Sequence, residues 1–151
     1  MLEYDFRNSI GYWLITTAHA YQRAINEELA PQGITYRQCQ TLGYLALEGP
    51  LSQNELAQRM QIEPPTLVGV LDRMERDGWI RRDVCPTDRR RKLIQPLQGA
   101  EPVWQTIIEC ALRVRAHAST GLTPCELDLL KSLLEKVQTN LQCNLTLEGS
   151  P

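Results

Sequence analysis

The stretch that decides the fold is Leu51 to Leu97, LSQNELAQRMQIEPPTLVGVLDRMERDGWIRRDVCPTDRRRKLIQPL. It opens on Ser52-Gln53-Asn54-Glu55. A Ser followed three residues later by Glu is the spacing at which a hydroxyl caps a helix and the acid answers it. Leu56, Ala57 and Met60 continue as a short apolar face. After a turn at Gln61 to Glu63, Pro64-Pro65 can start another helix, because a first turn needs no N–H from them. That helix buries Leu67, Val70, Leu71 and Met74 and stops at Asp77-Gly78. Trp79 to Val84 reads as a strand, Pro86-Thr87-Asp88 as a turn and Leu93 to Leu97 as a second strand. Pro96 implies that this second strand lies at a sheet edge. Two helices joined by a tight turn and followed by a hairpin make a helix-turn-helix with a wing.

The wing is where the charge sits. From Arg81 to Lys92 there are six basic residues (Arg81, Arg82, Arg89, Arg90, Arg91 and Lys92) against Asp83 and Asp88, a local charge of +4. The chain as a whole carries −2, so the remainder carries −6. Thirteen of the sixteen cations are Arg, whose planar fork matches phosphate and guanine edges better than the point charge of Lys. A charge run on its own is usually a solvated face. Set behind two short helices it points instead to duplex DNA: a helix reads base edges in the major groove while an Arg-rich tip enters the adjacent minor groove. Capping at Ser52 leaves backbone amides for phosphate.

Outward from this module the chain is helical. The first helix starts at Asn8 or Ser9 with a stripe of Ile10, Trp13/Leu14, Thr17, Tyr21, Ala24/Ile25 and Leu29, and ends at Pro31 and Gly33. Thr35 and Gln38 form a capping box for the second, whose apolar face is Cys39, Leu42 and Leu45/Ala46. Beyond the hairpin, Val103, Ile107, Ala111, Val114 and Ala118 mark a helix from Pro102 to about His117. Thr123-Pro124-Cys125-Glu126 starts the last one, with Leu127, Leu130, Leu133/Leu134, Val137 and Leu141. The expected fold class is mainly α (α+β), a winged helix-turn-helix core with N- and C-terminal dimerisation helices. Residues 1–34 and 99–146 form the helical dimerisation region and 35–98 the DNA-binding region of one compact domain, with 147–151 a loose tail.

Composition bounds the alternatives. At 151 residues and 42% hydrophobic, the chain can bury a core without staples and is not disordered. No run approaches the ~20 apolar residues of a membrane span, and Glu3 and Asp5 make the start unlike a secretory signal. Five cysteines in no CxxC spacing suit reduced thiols and a cytoplasmic protein, one expected at the nucleoid when bound to DNA. Two histidines, no nucleophile motif and no P-loop leave no catalytic set, so the chain is not expected to be an enzyme, nor to need a cofactor or metal. The rival reading is a winged helix used for protein–protein contact without specific DNA readout.

Leu71-Asp72-Arg73-Met74-Glu75, Gly78-Trp79-Ile80 and Asp88-Arg89-Arg90 together resemble the winged helix-turn-helix of the MarR family of transcription regulators, and Cys85 and Ala100-Glu101-Pro102 resemble its SlyA-like subgroup. The resemblance covers nearly the whole chain. It implies a homodimer on double-stranded DNA, acting as a repressor at a pseudo-palindromic operator. It places Pro64, Thr66 and Arg73 at the major groove, Ser52 and Gln53 at the backbone and Arg89, Arg90 and Arg91 in the wing. Asp72 and Asp88 would hold the wing at a fixed angle through charge-assisted hydrogen bonds. One departure is Gly69, where SlyA-like relatives often carry Arg; a base-reading side chain is missing there. A second is Gln98-Gly99, where the wider family has Thr and a later Gly.

Family members often bind small aromatic or phenolic anions between dimer helices and DNA module. Trp13, His19, Arg23, Tyr36 and Arg37 are the candidates for that role, each competing with a plainer reading as core aromatic or surface cation. Thiol oxidation is the other regulatory option. Cys85, beside Arg81 and Arg82, is its candidate, while Cys39 and Cys110 read as inert buried thiols.

Overall fold

Three of the helix starts are fixed by side-chain caps in the computed structural model, which describes residues 5–85, 88 and 91–142. Thr35, Ser52 and Thr123 each accept from the backbone N–H three residues on, and Gln38, Glu55 and Glu126 each accept from the cap residue's own N–H. These reciprocal boxes open α2 (Tyr36–Glu48), α3 (Gln53–Arg59) and α6 (Pro124–Gln142). The first helix, α1 (Ile10–Leu29), follows Ser9, whose side chain makes no cap bond to it. Pro64 begins α4 (Pro64–Arg76). Gly78, at φ +74°, lets the chain reverse after it, and the Trp79 N–H closes back onto the Met74 carbonyl at 2.9 Å. The remaining helix is α5 (Glu101–Ala118), entered through a 3-10 turn at Gln98–Ala100.

The sheet has three strands, β1 (Leu51–Ser52), β2 (Ile80–Val84) and β3 (Lys92–Pro96), all antiparallel in the order β1-β3-β2. This corrects the expectation drawn from Pro96. The strand that carries it is central, and β2 and β1 are the edges. Leu97 N–H bonds to the Trp79 carbonyl at 2.8 Å, so alternation turns the nitrogen of Pro96 away from β2. On that side β1 faces only Ile94 and Leu93 and has ended before Pro96. No N–H is needed where the proline lacks one.

The core lies under the helix-turn-helix. Leu56, Leu67, Leu71, Met74, Ile80 and Ile94 are almost fully buried, and Leu29, Ile107 and Cys110 extend the same cluster to α1 and α5. Of the stripe on α1 only Ile25 and Leu29 are buried, while Ile10, Trp13 and Tyr21 are exposed. Internal contacts divide the chain into two compact units, residues 1–114 and 115–151. That boundary falls inside α5, not at residue 98 where the sequence divides DNA-binding from helical region. In the second unit α6 has no buried residue, and Leu129, Leu130, Leu133 and Leu134 are exposed. Cys143 and the expected tail at 147–151 lie outside the described residues.

Gly99, one of the two departures seen in the sequence, has a packing reason. A Cβ there would stand 2.6 Å from the carbonyl oxygen of Gly78, so helix entry and strand entry touch backbone to backbone. Gly69, by contrast, has nothing within 4 Å of the corresponding position. Gly99→Ala should therefore destabilise the fold by about 1–3 kcal/mol through overpacking, whereas Gly69→Ala should stabilise it by about 1 kcal/mol through helix propensity. Denaturant unfolding of both variants checks the pair; equal effects would contradict the contact.

Candidate nucleic-acid interface

One face of α4 is committed to the core through Leu67, Val70, Leu71 and Met74. The opposite face presents Thr66, Gly69, Asp72, Arg73 and Arg76, all exposed and spaced as one helical stripe. Pro64 sits half-buried at its start. Arg73 Nε donates to the Gly69 carbonyl at 3.1 Å, which lays the guanidinium along the stripe beside the bare position. Val68, exposed on the same helix, is an apolar addition that sequence reasoning missed. Thr66 and Arg73 thus share a surface.

The wing is fastened to this helix by a residue that sequence reasoning did not assign to that role. Arg82, on β2, is the least exposed cation of the ion pairs among the described residues, with 18% of its side chain accessible. Its Nη2 donates to Asp72 Oδ1 at 2.6 Å and its Nη1 to Glu75 Oε2, while its backbone N–H reaches Glu75 Oε1 at 3.2 Å. Asp72 therefore grips the hairpin, as expected, but through the strand and not the tip. The available signal was the spacing of Asp72 and Glu75, which places two carboxylates on one helix face beside a strand that carries Arg. Arg81 is held by Asp83 at 2.7 Å on the other side of the same strand. Asp88 is exposed, and its carbonyl accepts from the Arg91 N–H at 2.9 Å. Arg89 and Arg90, expected at the tip, lie outside the described residues.

At the foot of the wing Ser52, Gln53, Asn54, Glu55, Arg91 and Lys92 line a cleft of about 450 Å³. Ser52 is buried, and its hydroxyl donates to Glu55 Oε2 at 2.7 Å while accepting from the Glu55 N–H at 3.3 Å. The hydroxyl expected at the DNA backbone is therefore occupied in the cap. Gln53, half-buried, faces the cleft. Arg91 Nη2 lies 2.8 Å from Glu55 Oε1 and 3.5 Å from Ser52 Oγ. The Ser52 hydroxyl, the Ser52 N–H and the Arg91 guanidinium together hold the Glu55 carboxyl down to about 2, against an ordinary 4.5.

The five effector candidates are not brought together. Trp13 Nε1 donates to the Arg7 carbonyl at 2.9 Å, Arg23 faces Glu27 at 3.7 Å, Arg37 donates to Gln40 at 2.9 Å and His19 is exposed. Six residues separate Trp13 from His19, about 240° around a helix, so the two point to different faces. Tyr36 is half-buried, and burial raises its hydroxyl above the usual range, with the nearby Cys39 adding to it. Cys85 is buried, and Arg81 and Arg82, the cations expected to favour its thiolate, are both matched by acids. Burial likewise lifts the Cys39 thiol to about 11, in keeping with an inert thiol. No helix among the described residues is long and apolar enough to cross a membrane.

A sequence model of the MarR family matches residues 32–91. The crystal structure of the transcriptional regulator PA3341 is 30% identical, with a TM-score of 0.81 over 90% of this chain and 100% of that one. A cysteine-to-serine mutant of MarR from E. coli, complexed with operator DNA, is 25% identical over 85% of this chain and 92% of that one, TM-score 0.73. CouR from Rhodococcus jostii RHA1 bound to p-coumaroyl-CoA, at 21% identity, shares the fold over 89% of this chain and 95% of that one, TM-score 0.74.

The cluster at Glu55 carries a pH signature. Its carboxyl titrates lower in the folded chain than in the unfolded one, so its stabilisation is complete above about pH 4.5 and is lost as the pH falls toward 2. Wild type and Glu55→Ala should differ by about 1 kcal/mol at pH 7, the scale of a cap plus an exposed pair. The gap should largely close by pH 2. Urea unfolding at the two pH values measures it, and an undiminished gap in acid contradicts the assignment.

Proposed function

The chain belongs to the MarR family of transcription regulators, and from that premise we propose that it is a sequence-specific DNA-binding regulator that grips a pseudo-palindromic operator as a homodimer. The observation that carries the reading is the joining of an exposed polar stripe on α4 to a basic hairpin through Arg82. Thr66 and Arg73 read base edges in the major groove, with Pro64 setting the entry of the helix. Gln53 lies at the sugar–phosphate backbone, where Ser52 sets the start of α3 through its cap and does not offer a free hydroxyl, and Arg89 and Arg90 reach the minor groove from the wing. Asp72, and Asp88 beside the tip, keep the wing angle. The operator complex of the E. coli relative supports carrying α4 and the wing to DNA.

Two apolar faces support the dimer. The first half of α1 exposes Ile10, Trp13 and Ile15, and α6 exposes a run of leucines. A second copy covering them would set two α4 helices about 34 Å apart, one DNA turn. As a SlyA-like repressor of the cytoplasm, such a dimer would respond to a small aromatic or phenolic anion, for which Trp13, His19, Arg23, Tyr36 and Arg37 are separate candidate contacts and not one pocket of the chain. Oxidation of Cys85 is the weaker regulatory reading because the thiol is buried.

Binding to random duplex DNA across a salt series tests the reading. Phosphate contacts give a steep negative log–log slope, about 0.9 per phosphate, whereas a protein-interaction module gives none. Arg89→Ala should weaken binding to all sequences and flatten the slope by about one. Thr66→Ala or Arg73→Ala should each erase about 1–3 kcal/mol of discrimination at one base pair. Gly69→Arg should add preference at the neighbouring position. A slope near zero in the wild type contradicts DNA binding.

A further inference from the structure

We propose that Glu55 is an internal competitor for DNA phosphate at Arg91, a carboxylate that withholds one wing cation from the sequence-independent part of DNA binding. The inference rests on the DNA-binding reading and deepens it. The two oxygens of Glu55 have separate tasks. Oε2 closes the α3 cap, accepting from the Ser52 N–H at 2.8 Å and the Ser52 hydroxyl at 2.7 Å. Oε1 holds Arg91 Nη2 at 2.8 Å. One oxygen therefore serves the fold, and the other serves only the pair.

The pair is also within reach of solvent. Its side chains are 47% and 39% exposed on the Arg and Glu sides, and they open on the cleft that Lys92 and Gln53 also line. A phosphate approaching Arg91 must therefore displace a carboxylate that the Ser52 cap already holds in place. Arg82 differs, being mostly enclosed and shared between Asp72 and Glu75. Arg81 on Asp83 is as open to solvent, so what sets Arg91 apart is that its acid is also the cap of α3. While Glu55 keeps it, the field of the wing is smaller than its +4 of formal charge, and loose adhesion to any duplex is correspondingly weaker.

Glu55→Gln separates the two tasks, because Gln also serves at the third position of a capping box. Salt-series binding of random duplex DNA by the full chain should become about 3–10-fold tighter at fixed salt. The log–log slope should steepen by about one phosphate contact. The gain should require Arg91, so Glu55→Gln with Arg91→Gln should return the slope to the wild-type value. Arg91→Gln alone should leave the slope unchanged, an outcome that does not depend on the cap and so holds the test open should Gln at 55 impair folding. Unchanged or weaker binding by a folded Glu55→Gln chain overturns the proposal, as does a slope flattened by about one in Arg91→Gln. A wild type with no salt-dependent binding removes the DNA-binding reading itself, and is seen before any variant is compared.

Discussion

The guanidinium of Arg82, set between Asp72 and Glu75, is the contact on which the geometry of this surface depends. A largely enclosed guanidinium needs its charge and its donors answered, and the planar fork answers two carboxylates at once. The two acids stand on α4 and the arginine on β2, so satisfying one partly buried charge fixes the angle between a helix and a hairpin. The other edge of the sheet supplies little: β1 pairs through Leu51 and Ser52 alone. Removing both acids would leave that guanidinium partly enclosed and unmatched, which costs more than the pairs themselves stabilise. The helix stripe and the wing therefore present themselves to a partner as one surface.

The same acids change the meaning of the charge. A total of −2 hides a wing segment of +4, and that +4 in turn hides Arg81 on Asp83, Arg82 on two acids of α4 and Arg91 on Glu55. Charges used to build the hairpin are not all available to attract DNA. Family resemblance assigns Arg89, Arg90 and Arg91 to the wing, and of these Arg91 stands on Glu55. A protein that must search non-specific DNA without adhering to it gains from such a division.

Much of the fold was legible because local chemistry dictated it. Thr35, Ser52 and Thr123 announced their helices, Pro64 and Gly78 bounded the recognition helix, and Leu67, Val70, Leu71 and Met74 marked its buried side. What escaped depended on pairings between distant segments. A two-residue strand leaves no pattern to read, so β1 went unseen and Pro96 was placed at an edge. Arg82 reads in the sequence as one more wing charge and Glu55 only as a cap, and it is the fold that brings Asp72, Glu75 and Arg91 to them. Ser52 was read as a DNA contact, although its capping duty buries it. The effector candidates share only residue type and nearness to a junction in the sequence, and helical phase turns Trp13 and His19 apart.

Two copies of this surface, on the reading proposed above, meet DNA together. Selection of bound sequences from a random duplex library by the full chain tests that pairing most directly. The expected result is enrichment of an inverted repeat with half-site centres about one helical turn apart, ~10 bp. Enrichment of a single unrepeated half-site, or no enrichment over the starting library, would contradict it.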